Sequence, residues 1–228
     1  MFSEMFKELW SNGIILKGIW ETIYMTLLST GIAYIIGLPL GVILNVTSAG
    51  GLSPNKAVNK TLGLIVNFLR SIPFIILMVA FLPVAKVVVG TSLGNRAMIV
   101  MLVVASFPYI ARMVENSLKE IDYGKIEAAR SMGASDFEII YKVIIPEARP
   151  SLLNGAVISA ITILGYSAMA STIGGTGLGQ IAIIYGHQRS NPDITWVCVI
   201  LMVLIVVVIQ EVGLLVVRKI DKRRKVNG

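Results

Sequence analysis

Thiol and imidazole groups are almost missing from this chain, which has one cysteine, Cys198, and one histidine, His187. A lone thiol builds no disulfide framework, and a lone histidine without companion ligands builds no metal site. Charge is scarce as well: 14% of the 228 residues are charged, against about 25% in soluble domains. No serine, cysteine or lysine stands in a recognisable pattern with a base, so the chain is not expected to be an enzyme. Over half of it, 55%, is hydrophobic, and the mean hydropathy is +0.80. An ordinary soluble domain is excluded, and an all-α integral membrane protein is expected.

The net charge of +7 does not point to nucleic acid, because six of the twenty basic residues crowd into Arg218 to Lys225 beside an apolar run. Such a cluster reads as attraction to anionic lipid and as a topology signal. Apolar runs long enough to cross about 30 Å of hydrocarbon are expected at 21–44, 61–84, 96–113, 150–173 and 194–217. Phe2, Met5, Phe6, Leu9 and Trp10 fall at helical spacing opposite Ser3, Glu4, Lys7 and Glu8, which predicts an N-terminal interfacial helix over 1–18. Gly31, Gly37, Pro39 and Gly41 interrupt the first span, either as close-approach positions or as tolerated breakers. Five spans place the termini on opposite sides. Fourteen basic residues, in the 56–60 loop, the 112–149 region and the tail, then oppose Lys7, Lys17, Lys86, Arg96 and Arg189. That imbalance makes the C-terminus cytoplasmic and the N-terminus external.

One polar stretch interrupts this membrane pattern, the loop 123–146, whose centre is Glu127-Ala128-Ala129 followed by Gly133, Ala134, Ser135 and Glu138. Ser135-x-x-Glu138 is a capping box, so a helix is predicted to start at Ser135. Gly133 sits where a left-handed residue closes the helix before it. Phe137, Ile140, Tyr141 and Ile144 then form one apolar stripe, and Pro146 is expected to end the second helix. The stripe must bury against this chain's own bundle or against a partner. Two glycine-rich loops, Gly90 to Asn95 and Gly175 to Gln180, echo one another. The second lacks the lysine of a phosphate loop and reads as turn-forming glycine. On the 150–173 span, Gly155, Ser159, Thr162, Tyr166 and Met169 share one small or polar face. That face is either a translocation path ending in a gate at Met169 or helix-to-helix packing.

Glu127-Ala128-Ala129, three residues, Gly133, nine residues and Val143-x-Ile145-Pro146 together resemble the EAA loop of permease subunits in ATP-binding-cassette importers. Val143 and Ile145 stand where that family usually has isoleucine and leucine. Trp20-Glu21-Thr22, Gly37-Leu-Pro-Leu-Gly41, Arg70-Ser-Ile-Pro-Phe74, Pro108 to Asn116, Gly165-Tyr-Ser-Ala-Met169 and Gly177-Leu-Gly-Gln180 are similar to the methionine branch of the family. The resemblance implies five transmembrane helices, a second copy of the chain and a cytoplasmic coupling-helix pair. It also implies two ATPase subunits that bind ATP and Mg, and an extracytoplasmic substrate-binding protein, in a bacterial cell membrane. Transport of D- and L-methionine by alternating access is the implied activity, with hydrolysis in the partner and no cofactor, metal or nucleic acid in this chain. Another amino acid or small polar solute is the alternative substrate. An ion-coupled secondary transporter is the alternative class, although the internal repeats and midplane ionisable groups of that class are not evident.

Overall fold

The computed structural model describes residues 4–221. Every regular element among them is helical: α1 (Glu4–Ser11), α2 (Ile14–Val46), α3 (Lys56–Ser71), α4 (Phe74–Ala80), α5 (Leu82–Val89) and α6 (Gly94–Lys119) come first. After these come α7 (Tyr123–Ser131), α8 (Asp136–Ile139), α9 (Ile145–Ala170), α10 (Leu178–Ile181) and α11 (Pro192–Ile220). Helices are the expected answer, since a chain in lipid must satisfy its backbone amides and carbonyls internally. Four stretches are long and apolar enough to cross a membrane: α2, α6, the continuous run 136–173, and α11.

The fifth expected span, 61–84, is not one rod. It divides into α3, α4 and α5, with a sharp break between Ser71 and Phe74, and counts as a crossing only if α3 and α4 are taken together. Pro73 causes the break. Its ring disfavours a helical conformation at Ile72, it has no amide to continue α3, and its own ψ of 136° is extended. Pro39, Pro108 and Pro150, by contrast, lie inside helices. The expected 1–18 helix also divides, because Gly13 (φ 70°) separates α1 from α2. Phe2 and Ser3 lie outside the described residues. The apolar face of α1 is taken up by the chain's own core. Leu9 is buried there with Ile15, Leu178, Ile181, Ile194 and Cys198, and Met5 and Phe6 pack against them.

The chain forms two compact units, each built from non-adjacent segments. Among the described residues, the first comprises 4–32, 72–106 and 159–211. Besides the Leu9 cluster, it holds the loop that starts α10: Thr22 Oγ1 accepts from the Leu178 amide at 2.9 Å while donating to the Gly18 carbonyl. The two echoing glycine loops meet here, through Gly94 N to Gly174 O at 3.1 Å and through Thr176 and Asn95. Their glycines are structural, as expected for turn formers.

Among the described residues, the second unit comprises 33–71, 107–158 and 212–221. Leu44, Val66 and Ala111 form its small core. Arg112 joins α6 to α3, donating to Gly63 O and Asn67 Oδ1, each at 3.2 Å. The same arginine and Lys119 hold Glu115, whose side chain is only 4% exposed. Pairing is what makes a buried carboxylate tolerable. The end of α2 is closed by its surroundings, because the carbonyls of Leu44, Asn45 and Val46 accept from Asn59 Nδ2, Ser48 and Ser53. Of the first-span glycines, Gly41 is a true close-approach position. A Cβ there would lie 2.6 Å from the Ala111 carbonyl and the Val114 side chain, whereas one at Gly31 would meet nothing within 4 Å.

Gly41→Leu is therefore expected to destabilise the protein by at least about 1–3 kcal/mol, the usual range for overpacking, and Gly31→Leu by much less. Thermal unfolding of the two variants in one detergent checks this.

Candidate functional site

The candidate site is the helix pair α7 and α8 with the turn between them, which contains Glu127, Ala128, Ala129, Gly133, Ala134, Ser135 and Glu138. Asp122 starts α7, its carboxylate accepting from the Gly124 amide at 2.9 Å. This places the beginning four residues before Glu127. The helix closes in a Schellman turn: the Ala134 amide reaches Ala129 O at 3.1 Å, and the Gly133 amide reaches Arg130 O at 3.0 Å. Gly133 has φ +83°, and no atom lies within 4 Å of where its Cβ would be. A side chain there meets open space, so the requirement for glycine is in the backbone alone.

The capping box is complete. Ser135 Oγ accepts from the Glu138 amide, while Glu138 Oε2 accepts from the Ser135 amide at 3.1 Å and the Ser135 hydroxyl at 3.0 Å. Lys142, one turn on, donates to Glu138 Oε1 at 2.8 Å. These contacts, Lys142 first and Ser135 second, lower the Glu138 carboxyl from 4.5 to about 2. Since the folded value is the depressed one, the cap's contribution is complete above about pH 4.5 and fades as pH falls towards about 2.

Pro146 does not end the second helix, contrary to the sequence expectation. A π-helical turn, Ile140–Ile144, intervenes, in which the Ile145 amide bonds Ile140 O five residues back, and α9 continues through Pro146 to Ala170. The wider turn relieves the clash a proline ring would make with the carbonyl four residues before it. One consequence is that the hairpin is covalently continuous with the long helix that carries Ser159, Thr162, Tyr166 and Met169.

Three contacts that the sequence did not reveal tie the hairpin down. Arg130 Nη2 spans the turn to Asp136 Oδ1 at 3.0 Å and also reaches Leu52 O at 3.2 Å, while Lys125 pairs with Glu147. Arg130 and Asp136 are six residues apart and meet only because the Schellman turn folds the chain back. The expected apolar stripe splits. Of its members Ile144 is buried and Ile140 half-buried, and Ile139 and Ala129, outside the stripe, are buried too. Met132, Phe137 and Tyr141 are 82%, 75% and 66% exposed, with the two rings stacked at 6.4 Å. Glu127 and Ala128 are exposed as well.

On α9, Ser159 is fully buried, Thr162 and Tyr166 are half-buried and Met169 is exposed. Tyr166 stacks on Phe74 at 4.3 Å between centroids, with the rings 8° from parallel. The structure therefore brings the hairpin residues into one feature, whereas the α9 residues grade from interior to surface.

The chain matches the family described as "Binding-protein-dependent transport system inner membrane component" over residues 37–226. It is 44% identical to the probable D-methionine transport system permease protein MetI of Vibrio cholerae, across 93% of this chain and 95% of that one. It is 45% identical to the methionine import system permease protein MetP of Bacillus subtilis, across 95% of each. A solved structure described as inward facing conformations of the MetNI methionine ABC transporter superposes with a TM-score of 0.92 at 45% identity, covering 97% of this chain and all of the matched one.

Removing the cap should loosen the start of α8 locally. Ser135→Ala is expected to cost about 1 kcal/mol, read as roughly fivefold faster hydrogen exchange at the amides of Phe137 and Glu138, with the exchange of α6 unchanged.

Proposed function

This chain belongs to the binding-protein-dependent transport system inner membrane component family, and we propose that it is the membrane-spanning subunit of an ATP-driven methionine importer. Its full-length similarity to methionine permeases supports the substrate, in D and L forms. The observation that carries the mechanism is the apolar surface of Met132, Phe137 and Tyr141, held outward by a hairpin fixed at its turn, its cap and its Arg130 tie. Exposed aromatic residues on a rigid support are what a protein partner uses as anchors. In this reading the partner is an ATPase subunit, one for each of two copies of the chain, and a binding protein delivers substrate on the opposite side.

The physical requirement for import is that ATP favours one arrangement of the partner over another; a ligand indifferent to the two would shift nothing. A hairpin with few internal freedoms converts that preference into movement of α9, since the two are one continuous helix from Asp136 onward. Nothing in this requires chemistry in the chain itself: ATP and Mg belong to the partner. The excess of basic residues on the hairpin side supports a cytoplasmic hairpin and C-terminus, with the N-terminus external.

The test is retrieval of an ATPase subunit with the tagged chain from solubilised membranes, which also tests orientation because an ATPase is reached only from the cytosol. Phe137→Ala is expected to weaken retention at least about thirtyfold, the effect of losing an anchor worth about 2 kcal/mol, with membrane insertion unchanged. Full retention in Phe137→Ala together with Tyr141→Ala would remove this surface as the docking site.

A further inference from the structure

The second unit contains a cavity of about 450 Å³ whose lining does not include Phe137 or Tyr141. That volume falls in the range of small-ligand sites, about 300–1,000 Å³. Its walls are the end of α2 and the loop after it, the end of α6, and the inner face of α7. The composition is one-sided. Lys119 and Arg130 line the cavity and no aspartate or glutamate does, while Leu118, Ile121, Ile126 and Ile144 supply an apolar wall.

Both cations have donors to spare. Arg130 makes its bonds to Leu52 O and Asp136 through Nη2, leaving Nη1 available, and Lys119 gives one of its three protons to Glu115. Arg112 and Lys119 share the one carboxylate of Glu115 and Arg130 faces Asp136, while Glu120 and Asp122, which flank Ile121, do not line the cavity and instead accept from Ser151 and the Gly124 amide. The ends of α2 and α6 bring carbonyl dipoles, which oppose an anion. However, each such dipole amounts to about half a charge, and the α2 carbonyls already accept from Ser48, Ser53 and Asn59. The full cations therefore win.

Position completes the case. The cavity lies beside the ends of α2 and α6, two helices long and apolar enough to cross a membrane, and the exposed Tyr123 at its edge is the kind of aromatic enriched at membrane–water interfaces. We infer that this cavity binds a phosphate-bearing anion with an apolar body, of the anionic phospholipid class, and so holds α7 against the α2 to α3 loop. Only the membrane character of the chain is used here, so the site and the transport reading stand or fall separately.

The experiment uses the purified transporter in phosphatidylcholine nanodiscs, probed with a phosphatidylglycerol carrying a photoreactive group near its head, and with a phosphatidylcholine of the same chains. The anionic probe is expected to label peptides 44–52 or 118–130 at least about fivefold more than the neutral one. Lys119→Gln should lower that labelling about fivefold, the effect of one cation at a lipid surface, and Ile126→Trp should block it by filling the space. Loss of labelling on adding excess inorganic phosphate would identify a soluble phosphate as a second source for the same anion site. Equal labelling by both lipids, labelling confined to other peptides, or labelling unchanged in Lys119→Gln would each overturn the inference.

Discussion

Backbone amides and carbonyls must find partners within the chain wherever lipid or packing withholds water, and that constraint accounts for most of this structure. Several departures from plain helix are matched by a local remedy. At Pro146 the ladder widens into a π turn, at the end of α2 three side chains or loop amides cover the carbonyls, and at Gly133 a Schellman turn closes α7. Where no remedy is built in, at Pro73, the helix stops and a new one begins. The second unit's charges obey the same rule, Glu115 being buried only because Arg112 and Lys119 both reach it.

The hairpin shows what such constraints can produce. Its two ends are fixed by hydrogen bonds within a few residues, its turn by a single left-handed glycine, and its orientation by Arg130 reaching back to Leu52. With Ala129, Ile139 and Ile144 turned inward, Met132, Phe137 and Tyr141 have nowhere to go but outward. A rigid element that exposes its aromatics and runs unbroken into α9 is suited to passing a push from a partner into the membrane.

How much of this was legible in the sequence depends on range. The capping box at Ser135 and the closing role of Gly133 are local, set by residues within five positions, and both are found as expected. The outcome at each proline was not legible, because Pro39, Pro73, Pro108 and Pro146 are alike in sequence and differ in how neighbours absorb the missing amide. The pairing of the two glycine loops was hidden for the same reason, its partners lying about eighty positions apart. The stripe of Phe137, Ile140, Tyr141 and Ile144 was visible, but which members face inward is decided by packing that periodicity does not report.

The central claim is that a stiff hairpin transmits ATP-driven movement, and Gly133 is where stiffness depends on one residue. Leucine at Gly133 meets no neighbour, so its effect is confined to the left-handed backbone, costing about 1–2 kcal/mol. The measurement is methionine uptake per ATP hydrolysed in proteoliposomes bearing the Gly133→Leu transporter, with Gly133→Asn, which tolerates that backbone better, alongside. The account predicts that uptake per ATP falls severalfold in the leucine variant and recovers substantially in the asparagine one, with the subunit still in the membrane; an unchanged ratio in Gly133→Leu would contradict it.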